Sequence, residues 1–344
     1  MNKYFSRWFV IFMFLGLISC SEDEALPKPE VLPEVNLETK DTYKYIALRN
    51  DGQLFEVGNL TGKIDLINKI PGIDFNTTFN AITSSPTHLY IYEHKFPPLQ
   101  SLIHIYNRTT KTSQSKIISF PQDVFGEFPG LLSLEWDKRS ENLIGLIKEH
   151  YEQGPHDISR LARIDPVTLE ITSMNIEVDL AHIISTQLIE NNIYTSTYRT
   201  STGSGNNDFF KIDLRSGALT SLELENMVRP PIHLSKNTRN NILFGFLPVE
   251  GSNFMGAARP VLINPDNMQV TDLFPNEVIG NLNFMGRSFF NPDSGEHVDF
   301  ITSTTYFGLF HYNTSSQKVS VTHLESPNNL SSLVGIVDVR KVDK

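Results

Sequence analysis

The amino-acid sequence predicts an all-β chain: a six-bladed β-propeller of four-stranded blades, closed by the C-terminal strand completing the N-terminal blade. Three observations predict it. A segment of apolar-x-apolar residues, a turn rich in Asn, Asp, Pro, Thr, Ser and Gly, and a second alternating run recurs six times. Anchored on Val57, Ile105, Ile164, Ile212, Ile263 and Tyr312, the copies are spaced by 48, 59, 48, 51 and 49 residues. A period near 50 residues with strand-type patterning is what a ring of four-stranded blades requires. Helical periodicity is missing after the leader, while period-2 alternation is frequent.

The ends of the chain give the blade number. An innermost strand begins about 21 residues after the first anchor, near Thr78, and the same step from Tyr312 reaches Leu333. There an apolar strand, Leu333 to Val339, runs almost to the C-terminus and lacks three partners. Those partners stand at the other end, as Tyr43 to Leu48, Gln53 to Val57 and Lys63 to Ile67. Pairing them closes the ring and removes an exposed edge. Blade two reads as Phe79 to Thr83, His88 to Tyr92, Leu102 to Tyr106 and Ser115 to Ser119. Blade three reads as Leu131 to Trp136, Leu143 to Ile147, Arg160 to Asp165 and Leu169 to Asn175, and the remaining blades follow the same order. The six inner strands read FNAIT, LLSLEW, AHIIST, IHLS, NFMGR and VGIVDV.

The chain begins differently. Lys3 and Arg7 precede an apolar run of eleven residues, Trp8 to Ile18. A mature membrane span needs about 20 such residues, so this run has the form of a secretory signal. It ends in Leu17-Ile18-Ser19-Cys20, and Cys20 is the only cysteine of the 344 residues. That segment resembles the lipobox of bacterial lipoproteins, which implies cleavage before Cys20 and its lipidation; the alternative is an ordinary signal peptide with an incidental cysteine. Ser21-Glu22-Asp23-Glu24 is similar to the acidic patch that follows the lipidated cysteine in surface-exposed lipoproteins of Bacteroidetes-type bacteria, or is a solvated tether. Pro27, Pro29 and Pro33 then favour an extended spacer. The expected organisation is a signal peptide over 1–19, a lipidated cysteine and tether over 20–42, and the propeller over 43–344. The expected location is the outer membrane, surface-exposed or otherwise facing the periplasm, and the expected state is a monomer.

From residue 43 to residue 340 the repeat resembles six-bladed propellers of the NHL and TolB-like kind. The resemblance rests on period and strand order, because no blade carries a diagnostic motif.

Alternate connections of a blade lie on opposite faces. The second-to-third connections are short in blades one and six and long in blades two to five, as in Glu149 to Asp157 and Pro248 to Gly256. Elaborated loops on a rigid scaffold are where recognition usually lives, although neutral loop drift gives the same asymmetry. Tyr92, His94, His150, Tyr151, Tyr198, Arg199, Phe254 and Arg259 on this rim are the candidate binding residues, joined by Arg229 and Asn283 from the loops between blades. Aromatic and arginine side chains combine large contact area with directional hydrogen bonds. They suit a peptide, a glycan or a protein partner.

The chemistry of the remaining residues is less pointed. A net charge of -10 argues against nucleic acid, which needs clustered cations. Glu149-His150 with His156-Asp157 could ligate a metal, but the spacing matches no known site. Six-bladed lactonases resembling gluconolactonase or regucalcin hold calcium in the channel. Here His182, His233 and Asn283 could face it, while the carboxylates such a site needs are largely missing. No Gly-x-Ser-x-Gly elbow occurs. No catalytic residue, metal or cofactor is therefore expected. The leading reading is a lipid-anchored binding propeller; a channel hydrolase or lyase and a scaffold subunit of an outer-membrane complex stand as alternatives.

Overall fold

The computed structural model describes residues 40–342, apart from 74–80, 96–99, 150–157, 181–182, 199–206, 225–226, 228, 250–256, 274–286, 303–306 and 325–332. Six four-stranded antiparallel sheets form the blades of a propeller. Blade one holds β1 (Tyr43–Arg49), β2 (Gln53–Gly58) and β3 (Ile64–Lys69). Blade two holds β4 (Ile82–Ser84), β5 (His88–Lys95), β6 (Gln100–Asn107) and β7 (Ser113–Ile117). Blade three is β8 (Pro129–Asp137), β9 (Asn142–Glu149), β10 (Ile158–Ile164) and β11 (Ile171–Asp179). Blade four is β12 (Ile183–Ile189), β13 (Asn192–Tyr198), β14 (Asn207–Asp213) and β15 (Leu219–Leu222). Blade five is β16 (Ile232–Lys236), β17 (Leu243–Pro248), β18 (Ala258–Ile263) and β19 (Val270–Asp272). Blade six is β20 (Phe289–Asn291), β21 (Glu296–Thr302), β22 (Phe307–Asn313) and β23 (Lys318–His323). The last strand, β24 (Leu333–Lys341), pairs antiparallel with β1, from Tyr43 opposite Lys341 to Arg49 opposite Leu333. The expected closure of blade one is therefore observed.

Apolar alternation explains how the blades stack. One buried cluster joins blades one and two through Ile46, Leu48, Ile82 and Ile91, and another joins two and three through Tyr92, Ile103, Leu131 and Leu134. Further clusters join three to four, four to five and five to six. The ring closes on Tyr45, Val57, Val298, Leu309 and Ile336 between blades six and one. Each blade thus buries both faces against its neighbours, so the core is a circuit of inter-blade layers.

The turns repeat as strictly as the strands. Between third and fourth strands, Asn107, Asp165, Asp213 and Asn313 each accept backbone N–H bonds from the residues two and three places on. The residue four places after each of these lies in the left-handed region: Lys111, Leu169, Gly217 and Gln317. An Asx side chain closes the turn, and glycine, where present, relieves the positive φ that Leu169 and Gln317 tolerate at some cost.

Two details complete the ring. The inner strand described in blade six is Phe289–Asn291, and residues 283–286 of the expected NFMGR segment lie outside the described residues. The ring also contains one helical turn, α1 (Gln122–Phe125), between blades two and three. Pro121 supplies the helix-compatible φ of -58° before it, and Gly126 at φ 88° ends it. Four residues are too few to show a helical period, and the turn leaves the strand circuit intact.

Candidate functional site

Strands alternate in direction along each blade, so second-to-third connections share a face with those leading to the next blade. That face carries the long connections, among them 118–128, 150–157, 199–206, 249–257 and 273–288, whereas no turn of the opposite face exceeds six residues. The described rim candidates stand at this end. Tyr92 and His94 lie late in β5, Tyr198 is the last residue of β13, Arg259 is the second of β18, and Arg229 sits in the connection entering blade five. Cys20, His150, Tyr151, Arg199, Phe254 and Asn283 lie outside the described residues, as does His182.

Tyr92 and His94 are brought together. The Tyr92 hydroxyl lies 3.1 Å from His94 Nδ1 and 3.0 Å from Ser101 Oγ. Tyr92 itself is buried between blades two and three, and burial pushes its hydroxyl up to about 12. Its role in the fold is to hold the half-buried His94 ring. Arg259 is tied to Asp272 across its own blade, Nη1 to Oδ2 at 2.6 Å.

A group of charges at the centre of the ring was not found from the sequence. Arg287 precedes the inner strand of blade six. Its guanidinium donates to both carboxylate oxygens of Glu135, at 3.3 and 3.2 Å, and to the Ile82 carbonyl. Glu135 belongs to the inner strand of blade three and Ile82 to that of blade two. Blades three and six are opposite in a ring of six, so Arg287 must cross the axis. From blade four, Thr186 Oγ1 donates to Glu135 at 2.7 Å. From blade five, Lys236 Nζ donates to the Leu188 carbonyl at 2.5 Å. Burial lowers the Lys236 pKa from its ordinary value, and Glu135 pushes back. Blade one leaves room for the crossing: a Cβ on Gly335 would come within 3.1 Å of the Arg287 backbone. Residues of all six blades thus surround this group, in which Arg287 pairs with Glu135 and the charge of Lys236 is felt by both, together with Asp137 and Arg139. Arg287 keeps 23% of its side-chain exposure, Glu135 only 3%. Glu135 lies two residues from the end of β8 and Lys236 ends β16, so the group sits toward the short-turn end of the hub.

His233, a candidate channel residue, is buried, with Nδ1 2.7 Å from Asp299 Oδ2; Ser288 Oγ donates to the same oxygen at 2.5 Å. Among the described residues no three His, Cys, Asp or Glu side chains converge as metal ligands would.

Two further histidines of blade six make the fold sensitive to acid. His297 stacks on Phe244 at 4.8 Å and touches Ser235 Oγ through Nδ1 at 2.9 Å. Burial drives its pKa down to about 3 and that of His311 down to about 4. Glu296 stands 4.0 Å from His311 Nδ1, too far to offset that burial. Both stay neutral in the fold but protonate in the unfolded chain below ~6.5, so falling pH favours unfolding. Stability is expected to drop by roughly 4 kcal/mol between about pH 7 and about pH 5, each histidine contributing about half. Denaturant titrations across that window should show it, and His297→Phe should remove about half of the slope. An unchanged slope in that variant would refute the assignment.

No family model matches this sequence, and no curated protein matches it. Solved structures do. TolB from Acinetobacter baumannii superposes with a TM-score of 0.55 at 9% identity, over 87% of this chain and 65% of that one. The fold is that of a TolB-like six-bladed propeller. The match spans about two thirds of TolB, and at this identity it speaks of fold alone. Oligogalacturonate lyase from Vibrio parahaemolyticus gives 0.49 at 10% identity, over 84% of this chain and 83% of that one. A Bacteroides fragilis protein proposed as a 6-phosphogluconolactonase gives 0.47 at 9% identity, over 90% and 100%.

Proposed function

We propose that this protein is a binding propeller of the bacterial envelope, lipid-anchored through Cys20, which receives a ligand or partner protein on its long-loop face. One observation carries the reading: the connections are enlarged on a single face, while the turns of the other face are short and built alike. Among the described residues no helix is long and apolar enough to cross a membrane.

The test places a photo-crosslinking residue at His94 or Arg259 on one face and at Arg215 or Ser315 on the other. Crosslinks to envelope components or to an array of glycans and peptides are expected from the first pair alone. Equal yields from both faces would defeat the proposal. Cys20→Ala should release the protein from membranes. A channel hydrolase remains the second reading, because His233, Asp299 and Ser288 form a buried hydrogen-bonded set. Turnover of an ester or lactone that His233→Gln abolishes, without loss of fold, would favour it.

A further inference from the structure

The outer rim of blade two holds a second arrangement, independent of the loop face. Glu93 on β5 and His104 on β6 are buried, at 0% and 1% exposure. Glu93 Oε2 lies 2.8 Å from His104 Nε2. On the other side of the ring, His104 Nδ1 lies 2.7 Å from the Oγ of Ser115, and Ser115 is exposed on the outermost strand. Glu93 also meets Lys95 Nζ at 3.5 Å, and Lys95 in turn donates to the Gly72 carbonyl. The linker from blade one is thereby held over the pair: a Cβ on Gly72 would sit 3.9 Å from His104 Cε1.

With Glu93 ionised and His104 neutral, the donor inventory sets the polarity of this chain of bonds. An ionised carboxylate only accepts, so His104 Nε2 carries the proton that bonds to Glu93. In the neutral imidazole Nδ1 is then an acceptor, and Ser115 donates its hydroxyl proton to it. A hydroxyl donating to an imidazole that is oriented by a buried carboxylate is the arrangement that activates a serine nucleophile. A purely structural need would be met with the hydroxyl buried; here it stands at the surface, on the strand face it shares with Ile117, which is 62% exposed.

We propose that Ser115, His104 and Glu93 form a nucleophile, general base and orienting carboxylate able to take up the acyl group of a small carboxylic ester with an apolar acyl chain. Ser115 Oγ attacks the carbonyl carbon as its proton passes to His104 Nδ1. The carbon–oxygen bond to the alcohol breaks, and His104 returns that proton to the departing oxygen. Water, activated by the same imidazole, then releases the carboxylic acid and restores the serine. Glu93 keeps its charge throughout.

Two measurements test this on the full chain. An alkyl fluorophosphonate should form a covalent adduct on the peptide carrying Ser115, and Ser115→Ala, a change at an exposed position, should abolish it. In parallel, the thiol of Ser115→Cys should react with iodoacetamide at neutral pH at least about tenfold faster than that of Ser113→Cys, since an adjacent imidazole raises the thiolate fraction. Ser113 is exposed on the same strand and serves as control; peptide mapping separates both from Cys20. Absence of the Ser115 adduct from the folded protein, or equal alkylation of the two thiols, would overturn the proposal.

Discussion

Removal of residues 333–344 is expected to abolish the cooperative unfolding of this protein. β24 is the inner strand of blade one, and it places Val334, Ile336 and Val337 at 2%, 2% and 8% exposure. Each such side chain contributes about 1.5–3 kcal/mol on burial, so their loss alone approaches the 5–15 kcal/mol that stabilises a typical domain. The truncation also strips the inner edge of β1, separates Asp338 from Arg108 of blade two, and separates Arg340 from Glu56, which it meets at 2.8 Å. The chain would then no longer pass from blade six into blade one. The truncated chain should show no sigmoidal urea transition and strong binding of an apolar dye. A rearranged chain separates loss of closure from loss of sequence. Because Lys341 pairs with Tyr43, moving 333–344 in front of residue 40 through a short loop turns β24 and β1 into a hairpin. That circular permutant should recover the midpoint of the unaltered protein. A truncated chain with an unchanged midpoint would mean that closure contributes nothing.

This closure was legible in the sequence because it depends on local pattern and counting. Leu333 to Val339 reads as a strand by alternation alone, and its missing partners could be found by applying the same offset at both ends. The strands of blade three were legible for the same reason, and the observed ranges differ only at their tips. A short strand is less legible: β20 has three residues, too few to show alternation. The hub could not be read at all. Glu135 was visible inside LLSLEW and Arg287 inside NFMGR, yet 152 residues separate them, and no periodicity says that two inner strands face each other across an axis. His104 looked like one more alternating strand residue, because its partners Glu93 and Ser115 lie on two neighbouring strands, eleven residues away on each side. The described candidates stand toward one end of their strands. Their contacts, such as Arg259 with Asp272, required coordinates.

The hub should respond unequally to loss of its two partners. Arg287→Met would leave the Glu135 carboxylate nearly sealed from water, with Thr186 as its remaining hydrogen-bond donor among the contacts described here and Lys236 engaged by a backbone carbonyl. Breaking a buried pair from the cation side costs about 3–5 kcal/mol, because the carboxylate keeps its desolvation penalty and loses its attraction. Glu135→Gln leaves Arg287 unpaired but still in part exposed, so the cost there should be about 1 kcal/mol. The double variant Arg287→Met/Glu135→Leu removes both charges and should recover most of what the first change lost, since an apolar pair of similar volume often replaces a buried ion pair without penalty. Urea midpoints for the four proteins measure all of this. Equal losses from the two single changes, or a double variant no better than Arg287→Met, would show that the charges meet at the axis without holding the blades together.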